Sequence, residues 1–258
     1  MLLHIGALHL DRDRTHQTIW HSLLPQTRLV CTLLLVFAIA LTPNGHWHTW
    51  GVYSVGLLSL ILISRVPLLP LIKRVVIEFL FINLVLVGSL FHQGGEIIWQ
   101  WGSLQVTTVG LTVLGSVMIK AFLSLLMLNV LTLTTTIPAL LQALVVLKTP
   151  PLLVAISASM YRYIEVLIEE FQAMRRAALS RNLMNSKHWQ RLIIGNMMGS
   201  LFIRSYERGE RIHQAMLARG YNGIPVVQEV LVPQRLDFLA LTLTITLALL
   251  GQMFYLPV

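Results

Sequence analysis

Long apolar runs separated by short polar connections dominate the sequence. Several of them approach the roughly 20 residues that a helix needs to cross the hydrocarbon core of a bilayer. The predicted membrane-spanning helices are Leu23–Thr42, Thr49–Ile63, Val76–Phe91, Thr107–Leu133 and Leu236–Leu256. The pattern therefore predicts an all-α polytopic membrane protein with about five transmembrane helices, four in residues 1–136 and the last in residues 236–258.

Residues 137–235 follow a different pattern, because apolar and charged positions recur there with the 3.6-residue period of an amphipathic helix. The predicted helices are a short one, Ile137–Leu147, and two long ones, from about Pro151 to Arg181 and from about Trp189 to Arg219. Asn182 and Gly220 follow the long helices, where a residue in the left-handed conformation commonly closes a helix.

The distribution of basic residues predicts how the chain is oriented in the membrane. Only 12% of the residues are charged, yet the formal net charge is +8. The loops Pro43–Trp50 and His92–Gln105 contain no Lys or Arg. Because membrane proteins keep Lys and Arg in cytoplasmic loops, we expect these two loops and the C-terminus outside, and the N-terminus inside.

The stretch Pro150–Ile168 is apolar enough to suggest a sixth span, but Arg162 and Glu165 interrupt it. A crossing at this point would place the many basic residues of residues 175–235 outside, against the charge bias. We therefore expect residues 137–235 to form one cytoplasmic region of long amphipathic helices, with parts of it lying against the membrane.

One face of the second long helix carries arginines, at Arg204, Arg208, Arg211 and Arg219. Such a face can be a solvated cytoplasmic surface, or it can dock into an acidic groove of another protein. Arg219 ends the helix, where the helix dipole favours a cation whatever its function. The adjoining Gly220 makes this helix end the sharpest candidate for a docking site.

Several kinds of chemistry are absent from the sequence. The single cysteine, Cys31, allows no intrachain disulfide, and the nine histidines have no ligand partners at zinc-site spacing, so we expect no metal site in this chain. Gly110–Gly115 has the glycine spacing of a P-loop but is followed by Ser116 and Val117, so we expect no ATP hydrolysis by that route. No stretch interleaves basic and aromatic residues, so we expect no nucleic acid partner.

A second function class remains open from the residues alone. A multispan membrane enzyme acting on a lipid or isoprenoid would need acidic or histidine clusters near the cytoplasmic interface. The acidic candidates for such a cluster are Glu165, Glu169 and Glu170, which form no Asp-rich motif.

The stretch Leu201–Gly223, LFIRSYERGERIHQAMLARGYNG, closely resembles the signature of the CbiQ/EcfT family. Thr134–Leu153 and Met160–Tyr163 look similar to this family too, and His21–Leu29 is a weaker match. Members of this family are the transmembrane T components of energy-coupling factor (ECF) importers, here of the cobalt/nickel branch. The resemblance covers most of the chain.

The resemblance implies two Ala-Arg-Gly motifs at the ends of coupling helices, each with an arginine that docks into a groove of an ATPase subunit. The second motif is intact as Ala218, Arg219 and Gly220, and the first keeps only its arginine, as Ser180, Arg181 and Asn182. Arg204, Arg208 and Arg211 would support the second coupling surface.

The resemblance also implies the partners and the location. The partners would be two ATP-binding ATPase subunits, a CbiM-like substrate-binding membrane subunit and a small accessory CbiN-like membrane subunit, all in a bacterial inner membrane. ATP and magnesium would bind to the ATPases and the cobalt or nickel ion to the substrate-binding subunit, so this chain would hold no cofactor and catalyse no reaction. A T component that serves a vitamin would look alike in these motifs.

Overall fold

Two compact units make up the chain in the computed structural model, which describes residues 18–45, 47–86, 97–101, 104–183, 187–221 and 234–253. Met1–Ala143 and Val230–Val258 form the first, here called the bundle unit, and Leu144–Glu229 form the second, here called the helix-pair unit. The predicted division at residues 136/137 and 235/236 concerns the side of the membrane, and it stays a prediction.

The first unit is a bundle of apolar helices. Pro25 stands at the first position of α2, where its missing N–H and fixed φ suit a helix start. Pro67 precedes α4 and disfavours a helical conformation at Val66. The helices, including α6, which runs past the boundary of this unit, are α1 (Ile19–Ser22), α2 (Pro25–Leu41), α3 (Trp47–Ser64), α4 (Leu68–Leu86), α5 (Thr108–Thr134), α6 (Ile137–Val146) and α9 (Arg235–Met253).

The core of the bundle unit lies where α5 packs against α2, α3 and α4, and where α9 packs against α2 and α3. Cys31, Met127 and Val130 are fully buried there. Two glycines let α3 and α9 approach closely: a Cβ on Gly251 would collide with the Tyr53 ring, and one on Gly56 with the Leu247 side chain. Cys31 is thus a small core residue, which is how free cysteines commonly pack.

The surface of the bundle unit is apolar. Leu62, Ile77 and Leu80 are each exposed by more than 70%. Exposed apolar area of this extent is rare on soluble proteins, and hydrocarbon is the solvent that suits it.

Among the described residues, four helices are long and apolar enough to cross a membrane: α3, α5, α7 and α9. Three of them are predicted spans, and the polytopic helical architecture is confirmed. The predicted first span is the apolar helix α2, 17 residues long, and the third is α4, which begins earlier than predicted and carries Lys73, Arg74 and Glu78. α7 is included as a candidate span by its length and composition alone. Its predicted cytoplasmic location therefore stays a prediction.

A short β-hairpin departs from the all-helical expectation. β1 (Ile97–Trp101) lies inside the predicted loop His92–Gln105 and pairs antiparallel with β2 (Leu104–Thr107), which runs two residues past that loop to the predicted start of the fourth span. The run IIWQW is rich in β-branched and aromatic residues, which favour strands. The sequence therefore contains a strand signal between the two predicted spans.

The helix-pair unit contains α7 (Pro151–Ser180) and α8 (Lys187–Ala218). Their bounds agree with the predicted helices to within two residues. The helices are antiparallel, because Ile156 near the start of α7 lies across a groove from Met216 near the end of α8. The C-terminal ends of the two helices therefore lie at opposite ends of the pair.

Candidate functional site: two arginine-bearing helix ends

The predicted site residues occupy the C-terminal ends of α7 and α8. Ser180 is the last helical residue of α7, Arg181 is the C-cap, and Asn182 follows it. Ala218 is the last helical residue of α8, and Arg219 and Gly220 form the turn that follows. Each arginine thus stands at the same position of its helix.

The end of α7 is a Schellman motif. Asn182 has φ +55°, in the left-handed region. Its backbone N–H donates to the Leu179 carbonyl at 3.0 Å, and the Leu183 N–H donates to the Ala178 carbonyl at 3.1 Å. These are the paired bonds that define the motif. Asparagine therefore takes the place of the glycine of an Ala-Arg-Gly motif without changing the turn.

The end of α8 has the same geometry. Gly220 has φ +81°. Its N–H donates to the Leu217 carbonyl at 2.9 Å, and the Tyr221 N–H donates to the Met216 carbonyl at 3.0 Å. Both predicted helix closures, at Asn182 and Gly220, are confirmed.

Both arginine side chains point into open space. Arg181 and Arg219 are exposed, and within the described residues their guanidinium groups take part in no hydrogen bond or ion pair. A guanidinium offers five N–H donors in a planar fork, which fits a carboxylate in a bidentate arrangement. Each helix end can therefore insert a cation into an acidic groove of another protein.

The three supporting arginines do not act alike. Glu170 of α7 accepts a hydrogen bond from Arg204 at 3.5 Å and forms an ion pair with Arg208 at 3.1 Å. Arg211 is exposed, and the i, i+4 geometry that would let it pair with Glu207 produces no ion pair in the described structure. Arg204 and Arg208 thus hold the two helices together.

The face of α8 that contacts α7 combines apolar and polar side chains. The residues of α8 that line the groove against α7 are Ser205, Arg208, Gly209, Ile212, His213, Met216 and Leu217. Phe202 and Tyr206, which lie four residues apart on α8, are exposed by 72% and 68% and do not line this groove.

A groove runs between the two helices. Its walls are mainly aliphatic and methionine side chains, and its polar members include Ser205, Arg208 and His213 on α8 and Tyr221 just after that helix. Methionines and exposed aromatic rings are typical of surfaces that contact a partner. From the sequence, Glu170 was only a candidate member of an acidic cluster. The structure shows that it forms the charged contact between α7 and α8.

The bundle unit contains polar contacts of its own. Lys120 donates to the Asn44 side chain at 3.0 Å, and Asn129 donates to Glu78 at 2.7 Å. These contacts satisfy polar side chains that are costly among apolar helices. Arg28 and Asp237 are buried charged residues that the sequence did not single out as a pair. Within the described residues no group of three His, Cys, Asp or Glu side chains is placed to hold a metal ion.

Comparison with known proteins places these features in one family. Residues 16–230 match the family described as CbiQ, cobalt transport protein. The chain is 29% identical over 216 residues to the energy-coupling factor transporter transmembrane protein EcfT of Listeria innocua, covering 79% of this chain and 80% of the relative. EcfT of Bacillus subtilis is 29% identical over 218 residues, with shares of 79% and 80%. A putative fused cobalt transport protein CbiMQ of Methanocorpusculum labreanum is 33% identical over 127 residues, 48% of this chain and 21% of the relative.

Proposed function

The chain belongs to the CbiQ cobalt transport protein family, and from that premise we propose that it is the energy-coupling transmembrane subunit of an ATP-driven importer for cobalt or nickel ions. In this role it transmits a conformational change of ATPase subunits to a membrane subunit that binds the metal. The ion is the cargo of the importer, and this chain itself holds no cofactor and catalyses no reaction.

The observation that carries the proposal is the shared geometry of two helix ends. Arg181 and Arg219 both occupy the C-cap of a Schellman motif, and both are exposed with unengaged guanidinium groups within the described residues. Two equivalent cationic ends suit a pair of equivalent partners. We propose that these partners are two ATP-binding subunits, which bind ATP and magnesium and draw closer together when they close on the nucleotide.

We propose two further membrane partners, one of which a relative supports. The fused protein CbiMQ joins the two named components in one polypeptide, which supports a CbiM-like substrate-binding subunit as a partner of this chain. A small CbiN-like accessory subunit completes the proposed complex. The groove between α7 and α8, with its methionines, and the exposed rings of Phe202 and Tyr206 outside it offer apolar surface for such contacts.

The proposed location is a bacterial inner membrane. The apolar surface of the bundle unit and its three helices long enough to span, α3, α5 and α9, support membrane insertion. The charge bias supports a cytoplasmic N-terminus and helix-pair unit, with the C-terminus outside. Labelling of an engineered cysteine at Ser186 from outside intact cells would contradict this orientation.

The deciding experiment removes both exposed arginines. We expect the double variant Arg181→Ala, Arg219→Ala to lose assembly with the ATPase subunits and to lose ion uptake. Each charge-assisted hydrogen bond contributes about 1.5–3 kcal/mol, which corresponds to about 10- to 100-fold in affinity for each arginine. Copurification of the ATPase subunits and uptake of labelled cobalt and nickel by cells measure the two effects.

A matched control removes the same charge from elsewhere on the same helices. Arg175 on α7 and Arg191 on α8 are exposed and belong to neither Schellman turn. We expect the double variant Arg175→Ala, Arg191→Ala to assemble and transport as the wild type does. Unchanged assembly and uptake in the Arg181, Arg219 double variant would refute the proposal.

A second candidate is a T component that serves a vitamin-type substrate. The relatives named energy-coupling factor transporter transmembrane protein EcfT favour it as the alternative, because their names carry no metal. The two candidates differ in the substrate-binding partner. Copurification with a tagged copy of this chain, followed by uptake of labelled metal ions and vitamins, separates them.

A further inference from the structure

Two opposite charges are buried in the bundle unit. Arg28 is 7% exposed and Asp237 is 2% exposed. Within the part of the chain that the structure describes, they form no direct ion pair within 4.0 Å. A buried charge is stable only when its surroundings compensate it, so each of these two side chains needs hydrogen-bond partners of its own.

Asp237 joins the starts of two helices. One carboxylate oxygen accepts from the backbone N–H of Leu24, the N-cap of α2, at 2.9 Å. The other accepts from the N–H of Gln234, the residue before α9, at 2.8 Å. Unpaired N–H groups and the helix dipole make helix starts favourable for an anion. Asp237 therefore binds the starts of α2 and α9 to each other.

Arg28 joins the ends of two other helices. Its guanidinium donates to the carbonyls of His21 at 2.6 Å and Leu23 at 3.0 Å, at the end of α1. It also donates to the carbonyl of Thr134, the last residue of α5, at 2.9 Å. A longer contact of 3.5 Å reaches the Thr135 hydroxyl. Helix ends favour a cation for the same reason that helix starts favour an anion.

These contacts form what we call the helix-end clasp: His21, Leu23, Leu24, Arg28, Thr134, Thr135, Gln234 and Asp237. Its place along the chain is distinctive. Thr134 and Thr135 stand where α5 ends, just before α6 continues toward the helix-pair unit, and Gln234 to Asp237 stand where the described chain resumes after that unit. The clasp thus fastens the outgoing and the returning chain to the short segment between α1 and α2.

We propose that Arg28 and Asp237 are positioning residues for transport, which fix, within the bundle unit, the end of α5 and the start of α9, where the chain leaves for the helix-pair unit and returns from it. The proposal rests on the proposed function, in which movement of the helix-pair unit drives transport. The clasp keeps these two helix termini fixed, so that this movement reaches the substrate-binding subunit and is not absorbed by slippage at the end of α5 or the start of α9.

The chemistry of the clasp suits this role better than apolar packing does. Apolar contacts are non-directional, and helices can slide along them. Charged hydrogen bonds to backbone atoms fix both distance and angle, and a guanidinium fork holds several carbonyls in one plane. Lysine keeps the charge of Arg28 but lacks the planar fork, so it cannot hold the same three carbonyls.

The experiment compares transport with ATP hydrolysis in the reconstituted complex with its ATPase and substrate-binding subunits. The variants are Arg28→Lys and Asp237→Asn, which preserve most of the side-chain volume. We expect each variant to assemble and to hydrolyse ATP, while the number of metal ions imported for each ATP hydrolysed falls at least fivefold. A variant that merely lowers the amount of folded protein reduces uptake and ATP hydrolysis together and leaves this ratio unchanged.

Thr32→Val is the matched control, because Thr32 is fully buried on the same helix and its hydroxyl donates only within α2, to the Arg28 carbonyl at 2.7 Å. We expect a wild-type ratio in this control. A wild-type ratio in both clasp variants would overturn the inference, and so would failure of both variants to fold, since the pair would then serve folding alone. If the wild-type complex neither assembles nor imports metal, the proposed function fails instead.

Discussion

Arginine has opposite roles in the two compact units. In the bundle unit, Arg28 is buried and its guanidinium binds the carbonyls at the ends of two helices. In the helix-pair unit, Arg181 and Arg219 stand at helix ends themselves, but their side chains leave the helix and stay exposed. A helix end attracts a cation in both units. What differs is whether the charge is used inside the fold or presented to a partner.

The strongest test of this difference in roles removes one arginine from each unit. We expect Arg28→Ala to destabilise the bundle unit by about 3 kcal/mol, because it leaves the buried carbonyls that Arg28 binds without a donor. The apparent melting temperature in detergent should fall by about 6–12 °C. Arg219→Ala should leave it near the wild-type value, since that side chain is exposed. Equal losses in the two variants would contradict the division of roles.

The second test concerns how closely α3 and α9 pack against each other in the bundle unit. The Cβ added in Gly251→Ala would meet the Tyr53 ring, which is buried and cannot move easily. We expect a cost of about 1–3 kcal/mol, measured by thermal unfolding in detergent. Gly56→Ala is the comparison, because its Cβ would meet the terminal methyl groups of Leu247, which can rotate away. A smaller effect at Gly251 than at Gly56 would show that α3 and α9 do not pack as described.

The third test concerns the helix closures of the helix-pair unit. Gly220→Ala places a side chain in the left-handed region, at a cost of about 1 kcal/mol. We expect faster amide exchange at Tyr221, whose N–H closes the turn on Met216. Gly199→Ala is the control, because it lies inside α8 with open space around it, and alanine should stabilise the helix there. Slower or unchanged exchange at Tyr221 in the Gly220 variant would exclude the Schellman closure.

The smallest expected effect comes from the contact between α7 and α8. Glu170→Gln removes both ion pairs with Arg204 and Arg208, and because these arginines are partly exposed the cost should be about 1 kcal/mol or less. We expect faster amide exchange along α7 and α8 at low salt, and little change at high salt, where the pairs are screened. Glu165 is exposed on α7 and forms no ion pair with any described residue, so Glu165→Gln should have no such effect.

The helices themselves could be predicted from the sequence alone. The bounds of α7 and α8 follow from periodicity and from helix-ending residues, and α3, α5 and α9 follow from long apolar runs. The closures at Asn182 and Gly220 were also predictable, because few residues tolerate a positive φ. These features are local, and local preferences act on residues that are near one another in the chain.

The start of α4 and the β-hairpin were harder to predict. Lys73, Arg74 and Glu78 hide the first half of α4 from a search for apolar runs, although charges on one side of a helix do not prevent it from forming. The hairpin was missed because a short apolar and aromatic run between two spans resembles an interfacial loop. Both errors arise from judging a segment by hydropathy rather than by its backbone preferences.

The sequence by itself determined that the chain is a set of apolar and amphipathic helices, with arginines at two of their ends. Only the tertiary structure decided that Glu170 draws Arg204 and Arg208 toward α7, that Phe202 and Tyr206 stay exposed, and that Arg28 and Asp237 join four helix ends. The reason is physical: periodicity is a property of one helix, whereas a charge pairs with whatever donor or acceptor a distant segment brings within about 3 Å.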